Sequence, residues 1–307
     1  MKLWLTILLL IFFSISLIII ISLLVNFYSK NINNYDYDDY DVPLENKLQG
    51  VIVEMRKHNA IPHVLKNFSD KLPNVPIFFI HGTKNKDFVL EVINSMPNLN
   101  IKLLQLNAEN LDSWTYSKLL TSVEFWYNIG NNEKTLIFQT DSGILGSKNE
   151  IKKFLKYDYI GAPWRKRQKF AEIDKEWIPK TRVGNGGLSI RNTNIAKIQS
   201  LIYGPITTQL PEDVFFVKLC EQDNCNLPSY KEGRKFSEER IRGIKPWAFH
   251  NNNNKYGIKP INHLNKIILE LNRKVSKNPH SKLGNTPDLK TWEPKLINTN
   301  INYNNLF

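Results

Sequence analysis

Cysteine is nearly absent from this chain of 307 residues: Cys220 and Cys225 are the only two, spaced C-x4-C. That spacing fits no tetrahedral zinc set and leaves open one small disulfide loop. No G-x-G-x-x-G follows an apolar strand and no G-x-x-x-x-G-K-[ST] occurs, so the phosphate-cradling turns of dinucleotide oxidoreductases and P-loop enzymes are missing. Internal repeats are absent, as are helix-turn-helix, zinc-finger and aromatic RNA-binding signatures. The net charge of +12 therefore reads as a solvated basic surface or as attraction for anionic, phosphorylated ligands, and not as a nucleic-acid footprint.

Charge is also missing between Lys2 and Lys30. Leu3 to Tyr28 is almost wholly apolar, broken by Thr6, Ser14, Ser16, Ser22 and Asn26. About 20 apolar residues cross a bilayer as a helix. The run exceeds the ~7–15 residues usual in a cleaved signal peptide, and no A-x-A-like site follows it. Residues 1–29 are thus expected to form a cytoplasmic tip and uncleaved transmembrane anchor, and residues 30–48 a stem rich in Asn, Asp and Tyr. With Lys2 before the span and Asp36, Asp38, Asp39, Asp41 and Glu45 after it, the body is expected in the lumen or outside, on an endoplasmic reticulum, Golgi or virion membrane. The sequon Asn67-Phe68-Ser69 agrees with that side.

Beyond the stem, apolar strands alternate with helical patterns. Gly50–Met55, Val75–Ile80, Ile101–Leu106, Thr135–Phe138 and Tyr157–Gly161 read as strands, and Pro62–Phe68, Asp87–Ser95 and one long Ser113–Tyr127 segment as helices. Near-continuous apolar strands imply an α/β fold, a mostly parallel sheet covered on both faces. A domain over residues 49–262 and a polar tail over 263–307, with an amphipathic piece at His263–Leu271, follow from the loss of pattern near Asn251.

Strand Thr135–Phe138 ends abruptly on Gln139-Thr140-Asp141-Ser142, placing a carboxylate at the carboxyl edge of the sheet, where open α/β folds bind ligands. Asp141 either holds a divalent cation bridging diphosphate oxygens or caps the following turn. Gly184-Asn185-Gly186-Gly187 is a loop permitting close ligand approach, or an ordinary hairpin turn. Glu212-Asp213 opens an apolar helix, as dipole complement or as general base for a hydroxyl. His250 is a metal ligand or a strand-end surface histidine. Glu54 and Arg56 end the first strand as nucleotide contacts or as a salt bridge; Trp164 stacks on a sugar or packs inside.

The order QTDS, YDYIGAPW, GNGGLSIRN, PEDVFF and WAFH resembles a glycosyltransferase-like family catalogued only as a domain of unknown function, met in fungi, algae and large DNA viruses. The likeness runs from Gly50 to His250. It is also similar to the GT-A class of nucleotide-sugar transferases, which implies a Rossmann-like catalytic domain. By that resemblance Asp141 matches the last carboxylate of a D-x-D motif, and Gln139 stands where the first would be. Gly186 and Gly187 match the Gly-Gly segment near the donor sugar, Glu212 and Asp213 the acidic pair at the acceptor side, and His250 the late metal-binding histidine; apart from those matches, Ser142, Glu54 and Arg56 are expected at the donor and Trp164 at the acceptor. The resemblance implies an enzyme moving a sugar from a nucleoside diphosphate sugar to a hydroxyl of a glycan, lipid or protein, with Mn²⁺ or Mg²⁺, and the apolar run adds the expected membrane anchor. Gln139 keeps a second expectation in play: a noncatalytic carbohydrate- or nucleotide-sugar-binding surface protein.

Overall fold

The structure, a computed structural model, describes residue 16 and residues 42–96, 98–165, 173–251 and 284–298. The expected anchor, apart from Ser16, most of the stem, and the amphipathic piece His263–Leu271 lie outside the described residues. Among those described, no helix is long and apolar enough to cross a membrane. The chain divides into two units, Met1–Val42 and Pro43–Phe307.

The second unit runs α1 (Leu44–Lys47), β1 (Leu48–Val53), α2 (Ile61–Lys71), β2 (Ile77–His81), α3 (Lys86–Asn94), β3 (Ile101–Leu106), α4 (Ser113–Leu120), α5 (Val123–Asn128), β4 (Lys134–Phe138), β5 (Ser142–Ile144), α6 (Lys148–Ile151), β6 (Tyr159–Pro163), β7 (Val183–Asn192), α7 (Thr193–Tyr203), α8 (Glu212–Gln222), α9 (Tyr230–Phe236), β8 (Ser237–Glu238), β9 (Ala248–His250) and β10 (Leu296–Asn298). One sheet has the order β10-β3-β2-β1-β4-β7-β6, and a smaller one the order β5-β9-β8. β3, β2, β1 and β4 are parallel neighbours, whereas β7 runs against both β4 and β6, and β10 against β3. The sheet is therefore mixed, with a parallel centre and antiparallel flanks.

Apolar strands bury both faces, as a parallel centre demands. One core layer joins Ile52, Phe79 and Leu136 to α2 and α3 through Leu65, Phe68, Val89 and Val92. The other joins Val51, Ile80 and Ile137 to α4, α5 and α8 through Leu119, Trp126 and Phe216.

Three expectations are corrected. The helix expected over Ser113–Tyr127 is two helices. Thr121 Oγ1 donates to the Ser117 carbonyl at 2.9 Å, and Ser122 Oγ accepts from Phe125 N at 3.2 Å, so hydroxyls take up backbone groups and restart the helix. The stem does not reach residue 48, because Leu44 and Leu48 are buried in the core. The tail is not polar throughout: Leu296–Asn298 pairs antiparallel with Leu104–Leu106, and Lys118 Nζ, buried, donates to the Leu289 carbonyl at 2.8 Å. The sequon lies within α2, where the Asn67 amide is already engaged, donating to the Ile144 carbonyl at 3.0 Å and accepting from Ile144 N at 2.7 Å. Cys220 and Cys225 are free thiols.

Candidate active site

The carboxyl ends of β1 and β4 open side by side, and the turn after β4 is stitched to β7. Gln139 N donates to the Gly187 carbonyl and to Ser142 Oγ, both at 3.1 Å, and Ser142 Oγ donates to the same carbonyl at 3.1 Å. Fully buried, Ser142 holds the turn; its expected contact with donor is corrected, since both hydrogen-bonding roles of its hydroxyl are taken by backbone.

Ser142 also pairs with His250, because β5 and β9 are antiparallel neighbours. That pairing brings His250 Nε2 to 3.1 Å from Gln139 Oε1 and 3.4 Å from Asp141 Oδ1. On the ring's other side Nδ1 stands 3.9 Å from Glu239 Oε1. Gly187 must be glycine here, since a Cβ would stand 2.1 Å from His250 Nε2. Burial raises the Asp141 pKa, but the hydrogen bond and charge of His250, together with Arg56, outweigh it and hold the carboxyl below its ordinary range.

Among the described residues, no three His, Cys, Asp or Glu side chains group as a metal site. One carboxylate, one imidazole and one amide oxygen do converge. A hard divalent cation accepts such donors when substrate oxygens complete its coordination, and a carboxylate behind the imidazole is the usual orienting partner.

Arg56 enters from β1. Its Nε and Nη2 fork onto the two oxygens of Glu54 at 2.8 and 2.7 Å, and Thr140 Oγ1 donates to Glu54 Oε2 at 3.4 Å. Glu54 is buried and Arg56 partly open, so the salt-bridge reading holds for Glu54, which orients the guanidinium beside Asp141.

The second cluster lies under the glycine loop. Asp213, at the first turn of α8, accepts from Gly186 N at 3.1 Å and from Val214 N at 2.8 Å. A Cβ on Gly186 would meet Glu212 Oε1 at 2.2 Å, so glycine is again required by close approach. Glu212 itself faces inward, 2.5 Å from Arg191 Nη2. The Arg191 guanidinium lies between the Tyr159 and Phe216 rings, 5.0 Å from each centroid, and its Nε donates to Ser189 Oγ at 3.1 Å. Glu212 thus serves a buried ion pair, which corrects its expected contact with an acceptor hydroxyl. Burial, then the neighbouring Glu212 charge, pushes the Asp213 pKa up to about 7.

Trp164 is corrected as well. Only 3% exposed, it packs in the core with Val217 and offers no face to a sugar. Arg191 and Tyr116 are the residues the sequence did not reveal. The buried Tyr116 hydroxyl lies beside the Gln139 amide, and burial with the Glu212 charge raises its pKa so that it stays protonated.

A family profile described as "Protein of unknown function (DUF5672)" matches residues 100–256. No curated protein matches the chain. Similar solved structures include the galactosyltransferase LgtC in complex with donor and acceptor sugar analogues, at 13% identity and TM-score 0.46, covering 76% of this chain and 98% of that one. A 4-diphosphocytidyl-2C-methyl-D-erythritol synthase from Anaerococcus prevotii is similar at 10% identity and TM-score 0.39, over 60% of this chain and 87% of that one.

Proposed function

The chain belongs to the family of proteins of unknown function DUF5672, and we propose that it is a membrane-anchored glycosyltransferase that moves a sugar from a nucleoside diphosphate donor to a hydroxyl acceptor. The observation that carries this reading is the pairing of two unlike carboxylates flanking the Gly186-Gly187 segment, Asp213 at Gly186 and Asp141 beside the histidine that packs on Gly187. Asp141, with Gln139, His250 and the Arg56 cation, supports a diphosphate; Asp213, with a pKa of about 7, supports proton removal from a hydroxyl.

Asp141, His250 and Gln139 would hold a Mn²⁺ or Mg²⁺ ion, which when bound neutralises charge on the departing diphosphate. Arg56, fixed by Glu54, adds positive charge on the same side without cost of reorganisation. The Gly186 and Gly187 backbone packs directly against Glu212, Asp213 and His250 and so joins the two clusters. Asp213, held by Gly186 N, accepts the acceptor proton at one oxygen as the new bond forms.

Screening nucleotide sugars against the full-length chain in lipid nanodiscs, with and without Mn²⁺, tests the proposal. Release of nucleoside diphosphate that depends on both donor and acceptor supports it. Donor binding without turnover assigns the chain to the noncatalytic reading, for which the neutral Gln139 speaks.

A further inference from the structure

Among the described residues seven large apolar side chains are exposed, and five of them lie together: Ile198, Leu201, Ile202 and Tyr203 on α7, and Tyr127 on α5. Positions 198, 201 and 202 follow helical spacing, so they form one outward stripe, while Ala196, Gln199 and Ser200 bury the opposite side of α7. Lys197 Nζ stands 5.4 Å over the Tyr127 ring and ties the two helices together. Scattered apolar side chains are ordinary on a surface, but a contiguous stripe with a polar rim marks a docking face.

The stripe adjoins the place where the chain enters the domain. Lys197 Nζ donates to Asn131 Oδ1 at 2.7 Å, and the next residue, Asn132, donates through its amide to the carbonyls of Glu45 and Leu48 at 2.8 and 2.9 Å. Only 14 residues, 29–42, separate the apolar run ending at Tyr28 from Pro43. Even fully extended they reach no more than about 50 Å. Aliphatic side chains bordered by tyrosines and a lysine suit the bilayer–water boundary, where rings sit at headgroup level and a lysine stem lies along apolar surface.

We propose that this face, α7 with Tyr127, rests on the headgroup–acyl boundary of the lipid bilayer that the N-terminal apolar run crosses. It rests on the anchor reading and is independent of sugar transfer.

The test uses the full-length chain carrying Cys225→Ser, reconstituted in phosphatidylcholine liposomes. A fluorophore is attached at Leu201→Cys or, as control, at Lys231→Cys on α9, whose Phe236 belongs to the other core layer. Lipids brominated in their acyl chains serve as quenchers, and flotation reads membrane attachment separately. The expected result is loss of most emission at position 201 and none at position 231. An unquenched probe at 201 in chains that float overturns the face and leaves the anchor standing. Chains that do not float overturn both. A blue shift at 201 that grows with the protein-to-lipid ratio without quenching assigns the stripe to a second copy, which also overturns the proposal.

Discussion

Asp141 and Asp213 lie on either side of the Gly186-Gly187 segment, yet their surroundings push them apart. The Asp141 side chain is 41% exposed and has an imidazole and a guanidinium for neighbours, so it stays ionised through the working range. Asp213 is enclosed beside a second carboxylate and titrates at about 7. Two residues of one type acquire two chemistries from environment, and the proposed roles follow from them: a constant anion suits a cation and diphosphate, and a group near neutrality suits proton transfer.

The largest expected effect is at Asp213. Asp213→Asn should lower the transfer rate by ~10²–10⁴, the usual worth of a general base. The wild-type rate should rise with pH through about 7 as Asp213 loses its proton, and the variant should lack that limb. Stability moves the other way. The folded carboxyl keeps its proton to about 7 and the unfolded one only to about 4, so between those values the native state binds more protons and loses stability as pH rises. Urea unfolding at pH 5 and pH 8 should show Asp213→Asn gaining on the wild type at the higher pH. An unchanged rate limb in the variant assigns the titration to another group.

Asp141→Asn should cost ~10²–10³ in rate, as loss of an electrostatic contact to a developing charge does. Thermal unfolding should barely move, because the side chain is partly solvated and contributes no packing. A well-folded variant with wild-type kinetics ends the diphosphate assignment.

Arg191 and Glu212 test the buried side of the contrast. Arg191→Met leaves Glu212 unpaired inside and should destabilise by about 3–5 kcal/mol. Adding Glu212→Leu should recover most of that loss and move the Asp213 rate limb to lower pH, since the neighbouring negative charge is gone. A double variant as unstable as the single one would show that Arg191 is held by its two rings more than by Glu212.

The central strands and the site order were legible because the strands are short, mostly apolar runs and each motif sits at a strand or helix end. Gln139, Asp141, Gly186, Gly187, Asp213 and His250 do converge. Arg191 was hidden, since a basic residue closing a strand looks solvated and its partner lies 21 positions away at Glu212. Tyr116 lies within a helical pattern, where nothing local marks a hydroxyl that reaches the Gln139 amide. Trp164 was misjudged because local sequence does not tell a ring at a cleft from a ring under one. β10 has three residues and a single buried side chain, Leu296, too little for any periodicity to register.

The smallest expected effect falls on Gln139, where the contrast can be altered most finely. Its amide oxygen shares His250 Nε2 with Asp141 but carries no charge. Gln139→Asp would add a second anionic oxygen there. In protein free of cation, two carboxylates so close repel, raising their pKa values. A divalent ion relieves that repulsion, so Mn²⁺ should bind on the order of tenfold more tightly in the variant, because ligand charge tunes affinity at oxygen sites. Titration calorimetry of both proteins with Mn²⁺ reads this without any substrate. If neither binds Mn²⁺ while the wild type still transfers sugar, Gln139 and His250 act by hydrogen bonding to the diphosphate, and Arg56 supplies the charge that the cation reading assigned to a metal.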